Sequence, residues 1–251
     1  MTLISNVNET PGTEKTLAGH VAIVTGSSRG IGKAIAKNLA KLGAAVCLCG
    51  RDTAAVEAAA REVGEFPSRV LALRADVTDP ADIVTLVHVT EEKLGPITLL
   101  INNAGIGNPG FGPVHDKSES DWDLVLNTNL KSIFLVSRAV APLMIRRRRG
   151  DIINISSLAG KNTFAGGGLY CASKWGLQGL SGCMAEDLRA YGIRVSVICP
   201  GSVATDFSGR GPKDSSKVLL PEDVAHAVAM VAMQGPQSFL SELHLRPVSK
   251  P

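Results

Sequence analysis

The sequence predicts an α/β domain with a mostly parallel sheet and helices on both of its faces. Short apolar segments alternate with longer segments of helical period along the 251 residues. Most of these apolar segments are nearly continuous in Val, Ile, Leu and Ala, as strands buried on both faces are. The composition shows no break between domains, so we predict a single domain over residues 18–251, preceded by a flexible polar tail over residues 1–17.

The predicted elements follow from the apolar segments and from the residues that bound them. Asp79 followed by Pro80 is typical of a helix start, and Gly43, Gly95 and Gly192 stand where helices commonly end. The predicted strands are residues 20–25, 45–50, 69–75, 97–102, 151–156, 194–199 and 238–245. The predicted helices are approximately residues 30–43, 53–64, 79–94, 118–148, 169–191 and 221–234.

Composition excludes several classes of function. The net charge of +3 is too small to indicate a nucleic-acid-binding protein, and the one basic cluster, Arg146–Arg149, has no interleaved aromatic residues. No apolar run approaches the 18 residues or so that a membrane span needs. The first 17 residues lack the features of a secretory signal. We therefore expect a cytoplasmic protein that binds neither nucleic acid nor membrane.

The cysteines predict neither a disulfide framework nor a metal site. The chain has five cysteines, an odd number, with no Cys-x-x-Cys pair and no histidine at metal-ligand spacing from any of them. Most of them stand in apolar segments. We predict buried free thiols, as expected in a reducing compartment. The five residues are Cys47, Cys49, Cys171, Cys183 and Cys199.

A glycine-rich turn follows the first predicted strand and precedes the first predicted helix. Gly26, Gly30 and Gly32 fall in the segment Thr25–Gly32. Glycines permit a tight turn and let the backbone approach a pyrophosphate, and a helix N-terminus presents N–H groups to it. The Gly-x-x-x-Gly-x-Gly spacing by itself also suits an ordinary strand–helix turn. Its position between an apolar strand and an amphipathic helix favours dinucleotide binding.

Two arginines favour NADP(H) over NAD(H). Arg51 follows the second strand, at the distance from the glycines where an acid would bind the ribose 2′-hydroxyl of NAD. Arg29 lies inside the turn. Two guanidinium groups can converge on the 2′-phosphate of NADP and bind it in a bidentate manner. The alternatives are that Arg51 is a solvated loop residue and that the neighbouring Asp52 selects NAD.

Polar residues after the third and fourth strands extend this candidate site. Asp76 and Val77 follow the third strand, and Asn102–Gly105 follow the fourth. Each segment alone is typical of a turn. Both, however, lie at the carboxyl ends of strands, where open α/β sheets bind ligands.

A second set of residues suggests acid–base chemistry. Tyr170 and Lys174 are four residues apart in a predicted helix, so they share one face, and a nearby cation would lower the pKa of the phenol. Ser157 ends the fifth strand and could hold a carbonyl oxygen beside the tyrosine. Asn129 stands in the middle of a helix, which asparagine disfavours. The structural alternatives are a surface Tyr–Lys pair and a solvent-facing asparagine.

Together these motifs resemble the short-chain dehydrogenase/reductase family. The resemblance spans residues 20 to about 206 and includes the segment Pro200–Thr205. It implies a Rossmann-type domain whose seven strands are in the order 3-2-1-4-5-6-7, and a catalytic tetrad of Asn129, Ser157, Tyr170 and Lys174. The cofactor-binding residues that it implies are Gly26, Ser28, Arg29, Gly30, Ile31, Gly32, Arg51, Asp76, Val77, Asn103, Ala104, Gly105, Tyr170, Lys174, Pro200, Gly201, Val203 and Thr205.

The resemblance also implies a mechanism, in which a hydride passes between the nicotinamide and a carbonyl carbon. Tyr170 would donate the proton as general acid, and Ser157 would bind the same oxygen. Lys174 would lower the pKa of Tyr170 and hold the ribose hydroxyls of the nicotinamide half. Asn129 would hold a water that links Lys174 to bulk solvent.

Within the family the sequence is most similar to 3-oxoacyl-carrier-protein reductases and related bacterial ketoreductases. Arg146–Arg149 stand where those enzymes carry a basic residue for the carrier protein, although a cationic helix C-terminus that complements the helix dipole is the preferred explanation. Tyr191 replaces a second expected arginine, and the C-terminal segment resembles dehydrogenases of small hydroxy acids and alcohols. The alternatives are therefore a dehydrogenase of small substrates and a non-catalytic dinucleotide-binding regulator. Family members are usually homotetramers or dimers, which the resemblance implies here too.

Overall fold

A parallel seven-stranded sheet in the order β3-β2-β1-β4-β5-β6-β7 forms the centre of the molecule and confirms the predicted fold. The computed structural model describes residues 17–66, 68–109, 112–208 and 217–249. The strands are β1 (Val21–Thr25), β2 (Ala45–Gly50), β3 (Val70–Arg74), β4 (Leu99–Asn102), β5 (Gly150–Ile155), β6 (Ile193–Pro200) and β7 (Glu242–Leu245).

Seven α-helices of the described part cover the two faces of the sheet. One face packs against helices α1, α2 and α7, and the other packs against α3, α5 and α6. The helices are α1 (Gly30–Lys41), α2 (Thr53–Val63), α3 (Pro80–Leu94), α4 (Glu119–Leu126), α5 (Ser132–Arg147), α6 (Gly168–Arg189) and α7 (Pro221–Ala232). None of them is long and apolar enough to cross a membrane.

Burial on both faces explains why the strands lack a polar alternation. In β1, Ala22 and Val24 pack toward α1, whereas Val21 and Ile23 pack toward the opposite layer of helices. All four are buried. Because neither face meets water, the hydrophobic effect selects apolar residues at consecutive positions.

The predicted helix termini are confirmed where the sequence carries capping residues. The Asp79 side chain accepts a hydrogen bond from Ala81 N at 2.8 Å, and Pro80 is the first residue of α3. Gly43 and Gly95 have φ angles of +97° and +99°, which L-residues with a Cβ rarely adopt. These glycines therefore let the chain leave a helix and enter the next strand.

Two predicted elements differ from the structure. The predicted helix 118–148 is divided into α4 and α5 by a π-helical segment, Asn127–Lys131. The last strand is shorter than the predicted 238–245 and covers only Glu242–Leu245. Residues before it turn back toward α7, because Ser238 N donates to Gly235 O and Leu240 N donates to the Gln234 side chain.

The predicted tail, residues 1–17, lies outside the described residues except for Leu17. Leu17 belongs to the core instead: it is 1% exposed, and its N–H donates to Leu42 O at 3.0 Å. All five cysteines are free, and four are buried as predicted. The prediction is wrong for Cys183, which is exposed because its position on α6 faces away from the sheet.

Candidate active site

A cleft of about 1450 Å³ opens at the carboxyl ends of the central strands. It brings together every predicted cofactor-binding residue and three of the four predicted catalytic residues, Ser157, Tyr170 and Lys174. These residues come from seven separate segments of the chain. The cleft therefore lies at the carboxyl ends of the strands, where the sequence analysis placed the candidate site.

The glycine turn lies on the floor of the cleft and has no room for side chains. Gly26 has a φ of +63°, and a Cβ there would lie 2.8 Å from the Ala104 Cα. A Cβ on Gly32 would lie 2.4 Å from the Gly26 carbonyl oxygen. The first turn of α1 thus approaches the strand ends closely, which leaves backbone N–H groups at a helix N-terminus beside the cleft.

Asn103 supports this turn from the neighbouring strand. Its Nδ2 donates to Thr25 O at 2.9 Å and to Gly26 O at 3.1 Å. Its backbone N–H also donates to the Thr25 hydroxyl at 2.9 Å. The side chain of Asn103 therefore holds the shape of the turn in addition to lining the cleft.

The charges at one end of the cleft are mainly positive. Arg29 and Arg51 both line it, whereas Asp52 does not. The Asp52 carboxylate caps α2 and accepts a hydrogen bond from Ala55 N at 3.1 Å. Burial opposes ionisation of Asp76, but two hydrogen bonds from Thr78 and the nearby arginines outweigh it and hold the pKa of Asp76 below its usual range.

Tyr170, Ser157 and Lys174 form the polar wall at the other end. Burial raises the pKa of Tyr170 to about 12, against the opposing effect of its hydrogen bond with Ser157. Burial also lowers the pKa of Lys174 to about 8. The Lys174 Nζ donates to Ile155 O at 3.0 Å and lies 5.8 Å from the centroid of the Tyr170 ring.

The near partner of the Lys174 ammonium group is a backbone carbonyl, and burial is the main influence on the pKa of Tyr170. A hydroxyl pair from Tyr170 and Ser157 faces the cleft. Such a pair can donate hydrogen bonds to one carbonyl oxygen.

Asn129 does not line the cleft and is fully buried in the π-helical segment. Its Oδ1 accepts from Ile106 N at 2.8 Å, and its Nδ2 donates to Ile106 O at 2.9 Å and to Ser173 Oγ at 3.2 Å. These three hydrogen bonds fix the loop after β4 to α6, and π-helical segments are frequent at functional sites.

Two residues that the sequence analysis did not assign to the site position Tyr170. The Asn108 Oδ1 accepts from Tyr170 N at 3.3 Å, and its Nδ2 donates to Gly166 O at 2.5 Å. The Phe207 ring contacts the Tyr170 ring edge-on, with the centroids 6.0 Å apart. Asn108 lies in a loop and Phe207 in a single 3-10 turn, Asp206–Ser208, where no periodicity or spacing could have indicated them.

The arginine cluster lies at the other end of the strands, directly before the start of β5. Arg147 pairs with Glu91, Arg148 donates to Ala190 O at 2.9 Å, and Arg149 contacts the His20 ring at 3.1 Å. These contacts tie the end of α5 to its neighbours.

Comparisons with known proteins identify the family of the chain. The sequence matches the short chain dehydrogenase family over residues 20–215. It is 33% identical to sepiapterin reductase of Chlorobaculum tepidum, over 92% of this chain and 97% of that protein. It is 34% identical to the 3-oxoacyl-[acyl-carrier-protein] reductase of Escherichia coli, over 85% of this chain and 90% of that protein.

A solved structure is also similar to the whole domain. A metagenomic short-chain oxidoreductase crystallised in complex with NADP has a TM-score of 0.83 and is 42% identical to this chain. The similarity covers 94% of this chain and 100% of the other.

Proposed function

Because this chain belongs to the short chain dehydrogenase family, we propose that its cleft binds NADP(H) and that the protein is a carbonyl reductase. The observation that carries the proposal is the convergence of two groups of residues on one cleft. A glycine cradle with two arginines lies at one end, and the Tyr170–Ser157 hydroxyl pair lies at the other. The phosphorylated ribose of NADP(H) needs cations at one end of the cleft, and the substrate beside its reactive nicotinamide ring needs a proton donor at the other.

The fit of NADP(H) rests on charge and space. The absence of a Cβ at Gly26 and Gly32 lets the turn pack against Ala104 and lets the N-terminus of α1 lie beside the cleft, as a pyrophosphate site requires. Arg29 and Arg51 supply two cations for a 2′-phosphate, and Asp52 is committed to capping α2. The similar metagenomic oxidoreductase binds NADP, which supports the same preference here.

We assign the chemistry to residues of this chain as follows. When bound, NADPH supplies a hydride to the carbonyl carbon. Tyr170 is protonated at neutral pH and donates its phenolic proton to the oxygen. Ser157 hydrogen-bonds the same oxygen and stabilises the charge that develops on it. Lys174, a buried cation held by Ile155 O, favours the resulting phenolate.

Asn129 acts as a positioning residue in this proposal. Its hydrogen bonds to Ile106 and Ser173 join the loop after β4 to the helix that carries Tyr170 and Lys174. The preorganised geometry of a site depends on such supports, because small displacements of reacting groups lower rates steeply.

Two substrate classes remain as proposals, a 3-oxoacyl thioester and a small ketone or its alcohol. The local contacts of Arg147–Arg149 favour the small ketone, since those arginines hold α5 in place instead of standing free for a carrier protein. A carbonyl in either class meets the same Tyr170–Ser157 pair. The loops around the cleft, including Phe207, select between them.

The test is NADPH oxidation, with NADH in parallel, over acetoacetyl thioesters, β-keto esters, diketones, aldehydes and cyclic ketones. We expect turnover with NADPH and its loss by about 10²–10⁴-fold in Tyr170→Phe, since that factor is the usual contribution of a positioned acid. NADPH affinity should stay near that of the parent. Retained kcat in Tyr170→Phe would show that another group supplies the proton. NADPH binding without turnover of any compound would favour the dinucleotide-binding regulator.

We also propose that the protein forms a homo-oligomer. Trp122 on α4, Phe134 on α5 and Trp175 on α6 are each between 45% and 49% exposed, which is costly for large aromatic side chains in water. A Phe134→Glu variant should shift the mass measured by light scattering toward the monomer. An unchanged mass in that variant, or a monomeric parent, would contradict the proposal.

A further inference from the structure

Outside the cleft, the edge of the sheet brings together a cysteine, a glutamate and a histidine. Cys199 lies near the end of β6, and Glu242 and His244 lie on β7. One ligand atom from each side chain lies within 4.8 Å of the other two, the only such group found among the residues that the structure describes. None of the three lines the cofactor cleft.

The strand register explains this arrangement. Cys199 and His244 are direct partners in the parallel pairing of β6 with β7. Partners in register carry their side chains on the same face, and Glu242 shares that face because it is two residues before His244. The cluster is therefore set by backbone pairing and not by flexible side chains alone.

We propose that Cys199, Glu242 and His244 form a binding site for a divalent transition metal, with Zn²⁺ as the ion that this donor set suits best. Thiolate, imidazole and carboxylate are the usual Zn²⁺ ligands. The cluster supplies three ligands, which leaves the fourth position of a tetrahedral site for water.

Two of the three distances between the ligand atoms are close to those around a tetrahedral ion. With Zn–S near 2.3 Å and Zn–O near 2.0 Å, tetrahedral angles place sulfur and oxygen about 3.5 Å apart. The Cys199 Sγ lies 3.5 Å from the Glu242 Oε1. The His244 Nε2 lies 3.0 Å from the same oxygen, against about 3.3 Å for two ligands near 2.0 Å from zinc. The ligand atoms of Cys199 and His244 lie within 4.8 Å of each other.

Solvent reaches the site from one side. Cys199 is buried, whereas the side chains of Glu242 and His244 are about one-third and two-fifths exposed. A metal can thus enter over β7 and meet the thiol at the inner end. The ion would tie the edge strand to β6 directly beside Pro200, which lines the cofactor cleft.

Two neighbours compete with the metal. The Lys161 Nζ lies 2.9 Å from the Glu242 Oε1, and the Gln178 Nε2 donates to the Cys199 Sγ at 3.1 Å. On binding, the Cys199 thiol releases its proton to solvent, and the Lys161 ammonium moves from Glu242 into water, which its side chain, about one-third exposed, already reaches.

The experiment is titration of the untagged chain with Co²⁺ alone, followed by Zn²⁺. We expect a thiolate-to-cobalt charge-transfer band that saturates at one ion per chain and disappears on addition of Zn²⁺. Cys199→Ser should abolish the band, and Glu242→Gln and His244→Asn should weaken binding by about tenfold or more. Lys161→Met should tighten binding on the order of tenfold, because it removes a competing cation.

The matched controls are Cys183→Ser and His226→Asn, which change an exposed cysteine and an exposed histidine elsewhere on the surface. They should bind Co²⁺ as the parent does. As a second measurement, Zn²⁺ at about a hundredfold over its Kd should raise the Tm of the parent by about 5–10 °C and leave that of Cys199→Ser unchanged. A missing band, a band that persists in Cys199→Ser, or a band lost in Cys183→Ser would each overturn the proposal.

Discussion

Replacing Gly32 by alanine tests whether the glycine turn is as tightly packed as the structure shows. The new Cβ would lie 2.4 Å from the Gly26 oxygen and 2.5 Å from the Asn103 Nδ2. Both distances are far below van der Waals contact, and the nearer atom belongs to the backbone. The turn must therefore shift, and overpacking of this kind costs about 1–3 kcal/mol.

The measurable effects follow from that cost. A chain of this size loses about 2–4 °C of Tm per kcal/mol, so we expect the Tm of Gly32→Ala to fall by about 2–12 °C. The displaced turn should also weaken NADPH binding by about tenfold or more, the factor that corresponds to 1.4 kcal/mol. Thermal unfolding and a fluorescence titration with NADPH measure the two effects separately.

Gly182→Ala makes the same chemical change where the structure has room. Gly182 is an exposed residue inside α6, and a Cβ there meets no atom within 4 Å. Since alanine is favoured over glycine in a helix by about 0.8–1.0 kcal/mol, this variant should be more stable than the parent and bind NADPH normally. The steric argument fails if Gly32→Ala keeps the parent's Tm and affinity, or if both variants lose equal stability.

Three further variants test charge and capping. Arg51→Asp should weaken NADPH binding far more than NADH binding in parallel titrations, and a parent with equal affinity for the two cofactors would refute the preference. Asp52→Ala should lower the free energy of unfolding by about 1 kcal/mol through loss of the α2 cap, with the cofactor preference unchanged; a switch in preference would show that Asp52 contacts the ribose. Lys174→Met tests how the stability of the fold depends on pH. Burial lowers the pKa of Lys174 from 10.5 to about 8 in the folded protein. Between these pH values the unfolded chain still holds the proton, whereas the folded chain has released it. The parent therefore gains stability as pH rises from 8 to 10.5. The variant lacks this gain, so its stability relative to the parent should fall by about 2 kcal/mol between pH 8 and pH 10 in urea unfolding; an unchanged difference would mean that Lys174 keeps its ordinary pKa.

The sequence alone determined the fold class and the edge of the sheet that carries the cleft. Consecutive apolar residues in β1 and the capping pair Asp79–Pro80 are local signals, because burial on two faces and helix capping act on the residues that show them. Spacing along the chain also identified the glycine turn and the Tyr170–Lys174 pair, because the glycines lie within one turn and the pair lies within one helix.

Only the tertiary structure decided the contacts between distant segments. It showed that Asn129 supports Ile106 and Ser173 instead of lining the cleft, and that Lys174 meets Ile155 O. Sequence spacing found no histidine near any cysteine, yet strand pairing places His244 beside Cys199. Such contacts join residues tens of positions apart, and they are set by sheet register and helix packing, which no local pattern encodes.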